Sequence, residues 1–424
     1  MFDKLLKIWK DKDLRNKILF VLGMLAIFRL AAHIPMPGID AENLKKFFSS
    51  NQIMGLVNIF SGGAMATFSV VALGVAPYIT SSIIFQLLTM IVPKLEALSK
   101  EEGGRQKINQ YTRIITVPLA FLQSYGMINL ISRSSRLPIF SDLSSFNILS
   151  MMMTMTAGTI FLMWIGELIS EKKVGNGISL LIFAGIVDQL PGAVQQLIMT
   201  YDKTQVINIA AFVAIAVITV VGVVMMNEAQ RNVPISYAKR IRGNKMYGGA
   251  ETHLPLRVNI AGVIPIIFAI SIILFPPMIA QFFVGAKTAW IAKGAEFTIT
   301  LFGNTLFYGI LYFLLVVGFT YFYTSVIFHP NQIAENLQKN GGFIPGIRPG
   351  HTTAAYLKYV INRIIFAGAL FLGTLAILPL LMQKVTGLQT LVIGGTSLLI
   401  VVSVVIETVK QVESQMLMRE YEKY

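Results

Sequence analysis

The stretch GTIFLMWIGELISEKKVGNGISLLIFAGIV, Gly158–Val187, decides the fold class. It holds the end of one apolar run, a short connection carrying Lys172 and Lys173, and the start of a second apolar run. A helix needs about 20 mostly apolar residues to cross the hydrocarbon of a bilayer. The two runs extend over Ile148–Ile169 and Gly177–Ile198, so both qualify. Working outward, eight more segments read the same way: Ile18–Ile34, Val70–Val92, Ile114–Ile131, Val206–Met226, Val258–Val284, Phe302–Phe328, Tyr356–Leu381 and Gly387–Ile406. The first carries Arg29, and the fifth carries Asp188 and Pro191, so these two are the least apolar in kind. The chain is expected to be an all-α polytopic membrane protein of ten transmembrane helices.

Composition agrees. The 424 residues are 54% hydrophobic and 13% charged, against roughly 25% charged in an average soluble domain. Basic residues then set the orientation, because cytoplasmic segments carry the excess of Lys and Arg. Alternate segments sum to 25 Lys/Arg on the side of the N-terminus and 8 on the other, with Arg29 and Arg363 inside spans. Both termini are therefore expected in the cytoplasm, as an even number of spans requires. The start, MFDKLLKIWKDKDLRNK, is basic and amphipathic, and no small-residue cleavage site closes the run that follows. A signal-anchor first span fits it better than a removable signal peptide.

Several chemistries are excluded. The chain has no cysteine, so disulfides, cysteine–zinc sites and iron–sulfur clusters are out. It has no G-x-x-x-x-G-K-[ST] loop and no H-E-x-x-H pair, the signatures of phosphate-cradling loops and zinc peptidases. No nucleophile stands at helical spacing from a base, so no enzyme, cofactor or metal is expected. Asp188 is the only acid well inside a span. Ion-coupled transporters keep ionisable residues at that depth, so a small-solute transporter would have to use Asp188. An intramembrane enzyme is the other rival.

Three segments exceed what simple connection needs. Loops 227–257 and 329–356 are dense in Gly and Pro turns and face the cytoplasm by the charge rule. Loops so built commonly carry function. The segment QIMGLVNIFSGGAMATFS, Gln52–Ser69, is apolar but too short to span. It reads as a re-entrant piece, which survives at membrane depth only beside protein or a water-filled cavity, or as an interfacial helix on the outer surface.

Five stretches resemble the SecY family, the channel subunits of protein translocases: LGVAPYITSSIIFQLL (Leu73–Leu88), the opening stretch Gly158–Val187, THLPLRVNIAGVIPIIFAISIILFP (Thr252–Pro276), GGFIPGIRPG (Gly341–Gly350) and GGTSLLIVV (Gly394–Val402). They run in family order through essentially the whole chain. The resemblance implies two pseudo-symmetric inverted halves, spans one to five (1–200) and six to ten (201–424), around a central pore. It implies a waist of apolar side chains at Ile79, Ile83, Ile178, Ile182, Ile267 and Ile400. It makes the short segment a plug, about 53–67, whose closest match is Phe60, Ser61, Gly62, Gly63 and Ala64. It implies a lateral gate at which Gln86, Gln123 and Ser271 meet.

The resemblance further implies docking of partners on the cytoplasmic loops, with Arg348 first and Lys239 and Arg240 second. Those partners would be the SecA motor ATPase and the ribosome. SecE, and SecG with it, would complete a heterotrimer. Translocating polypeptide, signal sequences and membrane lipids would be the channel's other contacts, in the bacterial cytoplasmic membrane. Gln230-Arg231-Asn232 departs from the family, where two basic residues are commoner, so no docking role is carried onto Arg231.

Overall fold

The computed structural model describes residues 11–40, 42–44, 47, 63–65, 67–101, 103–134, 138–140, 142–199, 206–237, 240–242, 245–247, 251–285, 288–386 and 395–422. Each expected span carries a helix. In chain order these are α1 (Lys12–Ala32), α2 (Ala76–Ile91), α4 (Gly104–Ser134), α5 (Ser145–Glu171), α6 (Gly177–Met199), α7 (Val206–Glu228), α8 (Ile264–Phe283), α10 (Thr305–Ile327), α12 (His351–Thr386) and α13 (Gly395–Glu422). Three further helices lie between them: α3 (Pro93–Lys100), α9 (Ala289–Gly303) and α11 (Pro330–Lys339).

Local chemistry sets many of the ends. The Asp11 carboxylate caps α1, accepting from the N–H groups of Asp13 at 3.0 Å and Leu14 at 3.2 Å. Asn304 caps α10 through Leu306 and Phe307. Such caps satisfy amides that a helix start leaves unpaired. Pro93 ends α2 and starts α3, and the chain bends there by 106°, as expected where proline removes a helical N–H. Gly166 and Gly177 let α5 and α6 fold back closely, since a Cβ on Gly177 would lie 1.8 Å from the Gly166 carbonyl oxygen.

By length and apolarity together, four helices among the described residues can cross a membrane, and the bent pair α2–α3 makes a fifth. Gly177–Gly192, Val213–Glu228 and Ile264–Ala280 are apolar but shorter. Outward-facing side chains suit lipid and not water: Phe146, Trp164, Ile218 and Met225 are all more than half exposed. The chain is a multi-pass helical membrane protein.

Helix neighbours repeat between the halves. In the first half α2 packs on α4, α4 on α5, α5 on α6, and α1 on α5 and α6. In the second half α8 packs on α10, α10 on α12, α12 on α13, and α7 on α12 and α13. Five spans per half is an odd number, so the second half enters from the opposite side. The halves meet along two seams, α8 against α2 and α4, and α13 against α6. The expected boundary near residue 200 falls at 200–205, outside the described residues.

Loops six and eight hold strands that the turn-rich sequence did not announce. β1 (Gln230–Tyr237) pairs antiparallel with β4 (Glu251–Arg257), and β5 (Gly342–Phe343) adds to the other edge of β1. The two-stranded ribbon β2 (Arg240–Arg242) and β3 (Lys245–Tyr247) lies between β1 and β4 in sequence. Val233, Leu256 and Ile344 pack on Leu357, Val360, Ile361 and Ile365 of α12. Loops six and eight are thus one unit, seated on the N-terminal end of α12.

The two ends of the chain also meet. Arg419 Nη1 donates to Asp11 at 2.8 Å, and Nη2 donates to Asp13. The Leu14 N–H, followed by Arg419, holds the Asp11 carboxyl below its usual range, and Arg419 does the same to Asp13. Depressed carboxyls contribute stability that is present above their unfolded pKa and is lost as pH falls through the folded value. In a detergent melt of the chain, the melting temperature should fall between about pH 5 and about pH 3 more steeply than in Arg419→Ala. Parallel curves would show that the contact adds nothing to folding.

Candidate pore between the two halves

A cavity of about 670 Å³ opens between the halves on the side that carries the loops and termini. Tyr78, Ile79, Ser82 and Gln86 of α2, Ile178 and Ile182 of α6, Ile267 of α8 and Glu407 and Lys410 of α13 all line it. A second, smaller cavity of about 110 Å³ lies between α2, α4 and α8. Met65 reaches it, and Gln123, Ile270, Ser271 and Met278 line it. Ile79 and Ile267 line both cavities, so they stand between the two spaces.

The six expected waist residues divide. Ile79, Ile178, Ile182 and Ile267 line the larger cavity. Ile400 is fully buried in the same apolar cluster and lines neither space. Ile83 is 3% exposed, lines neither cavity, and falls outside that cluster.

Phe60, Ser61 and Gly62 lie outside the described residues, but Gly63 and Ala64 are placed. Gly63 has φ +80°, a left-handed conformation that suits glycine. Ala64 is fully buried in the main core, alongside residues of α1, α6 and α8. The following turn is closed by Phe68 N–H to the Met65 carbonyl and Ser69 N–H to the Ala64 carbonyl, both 3.0 Å. Thr67 Oγ1 donates to the Ala32 carbonyl at 3.1 Å, and Met36 N–H donates to the Phe68 carbonyl at 3.1 Å. Phe68 sits edge-on to Phe140, with centroids 5.5 Å apart. The described end of this non-spanning segment is thus tied by hydrogen bonds to the residues that close and follow α1.

The three polar residues expected at one seam do not come together. Gln123 and Ser271 share the smaller cavity, while Ser271 Oγ donates to Ile267 of its own helix. Gln86 donates to Ser82 at 3.1 Å and lines the larger cavity instead. Asp188 is engaged with Arg29 at 3.1 Å. Arg29 also donates to the Ala184 carbonyl at 2.7 Å. This pair couples the first and fifth spans, and it occupies the one acid that an ion-coupled transporter could have used.

Residues missed in the sequence form a polar chain along the larger cavity. Asn259 Nδ2 donates to Asn227 Oδ1, which in turn donates through Nδ2 to Ser403 Oγ, both at 2.7 Å. Asn227 and Asn259 flank the sixth loop, a position that could have drawn attention to them. On the loops, Pro345 and Gly346 make a tight turn, with Gly346 at φ +82° and Ile347 N–H to the Ile344 carbonyl at 3.0 Å. Arg348 follows at once, exposed, while Thr353 Oγ1 donates to its carbonyl at 2.9 Å. Lys239 lies outside the described residues, and Arg240 opens β2.

The SecY family model matches residues 69–409. The protein translocase subunit SecY of Streptomyces galbus is 44% identical over 438 residues, covering 98% of each chain. The chain belongs to the SecY family. Solved structures agree on the fold of the SecY chain. One, concerned with the plug domain of SecY and the closed state of the translocation channel, aligns with TM-score 0.63 and 17% identity over 94% of this chain and 91% of that one. Sec61 in the canine ribosome–channel complex aligns with TM-score 0.61 and 17% identity, over 94% and 91%.

The Arg29–Asp188 pair should behave as a structural contact. Asp188→Asn should lower stability by about 1–3 kcal/mol, because it removes one charge of a pair set within the spans. Arg29→Met with Asp188→Leu should cost less than either change alone, since the double variant leaves no unpaired charge. Thermal melts of the three variants check this; a double variant less stable than both singles would contradict it.

Proposed function

We propose that the two cavities are parts of one path for unfolded polypeptide, narrowed at Ile79 and Ile267, and that hydrophobic segments leave it sideways between α2/α4 and α8. The chain is a translocase channel subunit, and it acts as a conduit and not as an enzyme. One observation carries the reading most: two apolar side chains from opposite halves separate a larger space of mixed polar and apolar lining from a smaller one. A narrow apolar constriction tends to dewet and so blocks hydrated ions. Branched side chains can still close around a moving chain of any sequence. Ile178 and Ile182 would line the approach to the constriction, with Ile400 and Ile83 supporting it from behind.

The segment about 53–67 would be the plug. Its placed end, with Ala64 buried in the core to which both halves contribute and Met65 at the smaller cavity, supports that role. Gln123 and Ser271 would belong to the lateral gate, and Gln86 to the cytoplasmic vestibule. The membrane would be the bacterial cytoplasmic membrane, with both termini inside. Energy would come from SecA or the translating ribosome, docked on the unit built from loops six and eight. SecE, with SecG, would brace the halves. Arg348 is the side chain best presented to a partner; Lys239 and Arg240 follow. Basic side chains there would engage acidic protein surfaces or ribosomal RNA phosphates.

Two measurements test this. In planar bilayers, Ile79→Ser and Ile267→Ser should each raise resting ion conductance severalfold, whereas Ile83→Ser should raise it less. Equal, unchanged conductance in all three would remove the waist. Arg348→Glu should slow motor-driven transport of a secretory precursor into vesicles without reducing the amount of channel in the membrane. A normal transport rate would remove Arg348 from the docking surface.

A further inference from the structure

Several basic side chains on the loop-bearing side of the membrane meet carboxylates. Arg113 pairs with Glu167 at 2.6 Å, Lys410 with Glu228 at 2.7 Å, and Arg419 with Asp11 at 2.8 Å. Lys358 of α12 does not. Among the described residues it makes no ion pair. It lines a cavity of about 970 Å³ between α10, α11 and α12. No residue lines both this cavity and either space between the halves, so the pore reading leaves it without a role.

The lining is graded. At the surface end stand Lys358, His329, His351, Asn331 and Gln332. Each side chain there can donate a hydrogen bond, and no Asp or Glu lines the space. His329 gives α11 no side-chain cap, so the Asn331 and Gln332 amides have no partner within the helix. A helix start of this kind adds its positive potential to that of the lysine. α10 runs toward the loops and α12 runs away from them, so depth increases toward Phe322 on α10 and toward Ile361 and Ile365 on α12. The deep end is mainly apolar.

A neighbouring strip of α12 marks the level of the bilayer surface. Tyr359 and Arg363 are exposed there, with the guanidinium 4.5 Å from the centroid of the Tyr359 ring. An arginine in a span reaches up to the headgroups while its stem stays in hydrocarbon, and tyrosine favours the same depth. Lys358 stands about 7 Å nearer the helix start, at 1.5 Å per residue. A ligand that suits the whole cavity carries a phosphate at one end and hydrocarbon at the other. Inorganic phosphate would leave the apolar end unused. A zwitterionic headgroup would bring an ammonium group to a space with no carboxylate to meet it.

We propose that this cavity binds an anionic phospholipid, its phosphate on Lys358 and the donors that start α11, its acyl chains along Phe322, Ile361 and Ile365. Basic pockets between membrane helices suit anionic headgroups in this way. α11 and α12 flank the turn that carries Arg348, so the bound lipid ties the base of that platform to the membrane surface.

The absence of cysteine lets one probe report on the site. Phe366, exposed beside Ile365 and outside the lining, is changed to cysteine in the full-length chain and labelled with bimane. Leu314, exposed farther along α10, carries the probe in a control. In phosphatidylcholine vesicles, nitroxide-labelled phosphatidylglycerol should quench the probe at position 366 with about fivefold higher efficiency than equally labelled phosphatidylcholine. At position 314 the two lipids should quench alike. Lys358→Gln should abolish the preference, and Lys358→Arg should keep it. Equal quenching by both lipids at position 366, or a preference that survives Lys358→Gln, would overturn the site. A like preference at position 314 would assign the effect to general surface charge and overturn it too. Loss of the preference in phosphate buffer at constant ionic strength would give the site to free phosphate, against the lipid. Loss on assembly with the translocase partners would show that protein covers the cavity, again against the lipid.

Discussion

Hydrocarbon offers the peptide group no hydrogen-bond partner. That constraint forces the spans to be helices, because only a helix satisfies its backbone within one segment. It also governs the one apolar segment that does not span. The backbone of Phe68 and Val70 can sit beside the membrane helices because the Met36 amide and the Ile34 carbonyl receive it, while the Ala32 carbonyl takes the Thr67 hydroxyl. A segment held in that way needs a concave protein around it. The two cavities and the inverted halves supply that shape.

The seams differ in how they are held, and the difference follows from depth. Toward the membrane surface that carries the termini, water screens charges and tolerates polar partners, so long basic side chains can bridge elements at modest desolvation cost. The bridges of Arg113, Lys410 and Arg419 all lie there. Deeper, a charge must be paired, and Arg29 with Asp188 is the instance within the spans. Between α8 and α2/α4 the seam relies on apolar contact around Ile79, Ile267 and Ile270. Apolar contact is non-directional, and lipid is as apolar as the helices. Parting such a seam in a membrane exchanges apolar contact between helices for apolar contact with lipid.

Much of this was legible in the sequence, for reasons that differ by residue. A helix lies at each of the ten expected spans because hydropathy accumulates over 20 residues and survives one Arg29 or one Asp188. The meeting of those two residues was not legible, since it joins positions 29 and 188 through tertiary packing. Gln86, Gln123 and Ser271 were grouped by polarity on neighbouring spans. Polarity gives no helical phase, and Gln86 turned out to serve the other cavity. The strands β1, β4 and β5 were hidden behind turn residues, because Pro234 and Pro255 argue against sheet. β5 reaches only Ser236 and Tyr237, so Pro234 sits where β1 has β4 as its single neighbour.

The basic excess is where sequence and structure sharpen one another most. Counting gave 25 Lys and Arg on one side against 8, and topology alone would account for it. Position separates the charges. Arg113, Lys410 and Arg419 face carboxylates and join helices. Arg348 faces solvent, raised by the Pro345–Gly346 turn on a sheet that joins two loops into one platform. A charge needed only to orient a span requires no such platform, since the insertion machinery counts charge in loops of any shape. The order around Arg348 suits the docking role proposed for it, because an ordered loop loses less entropy when it binds.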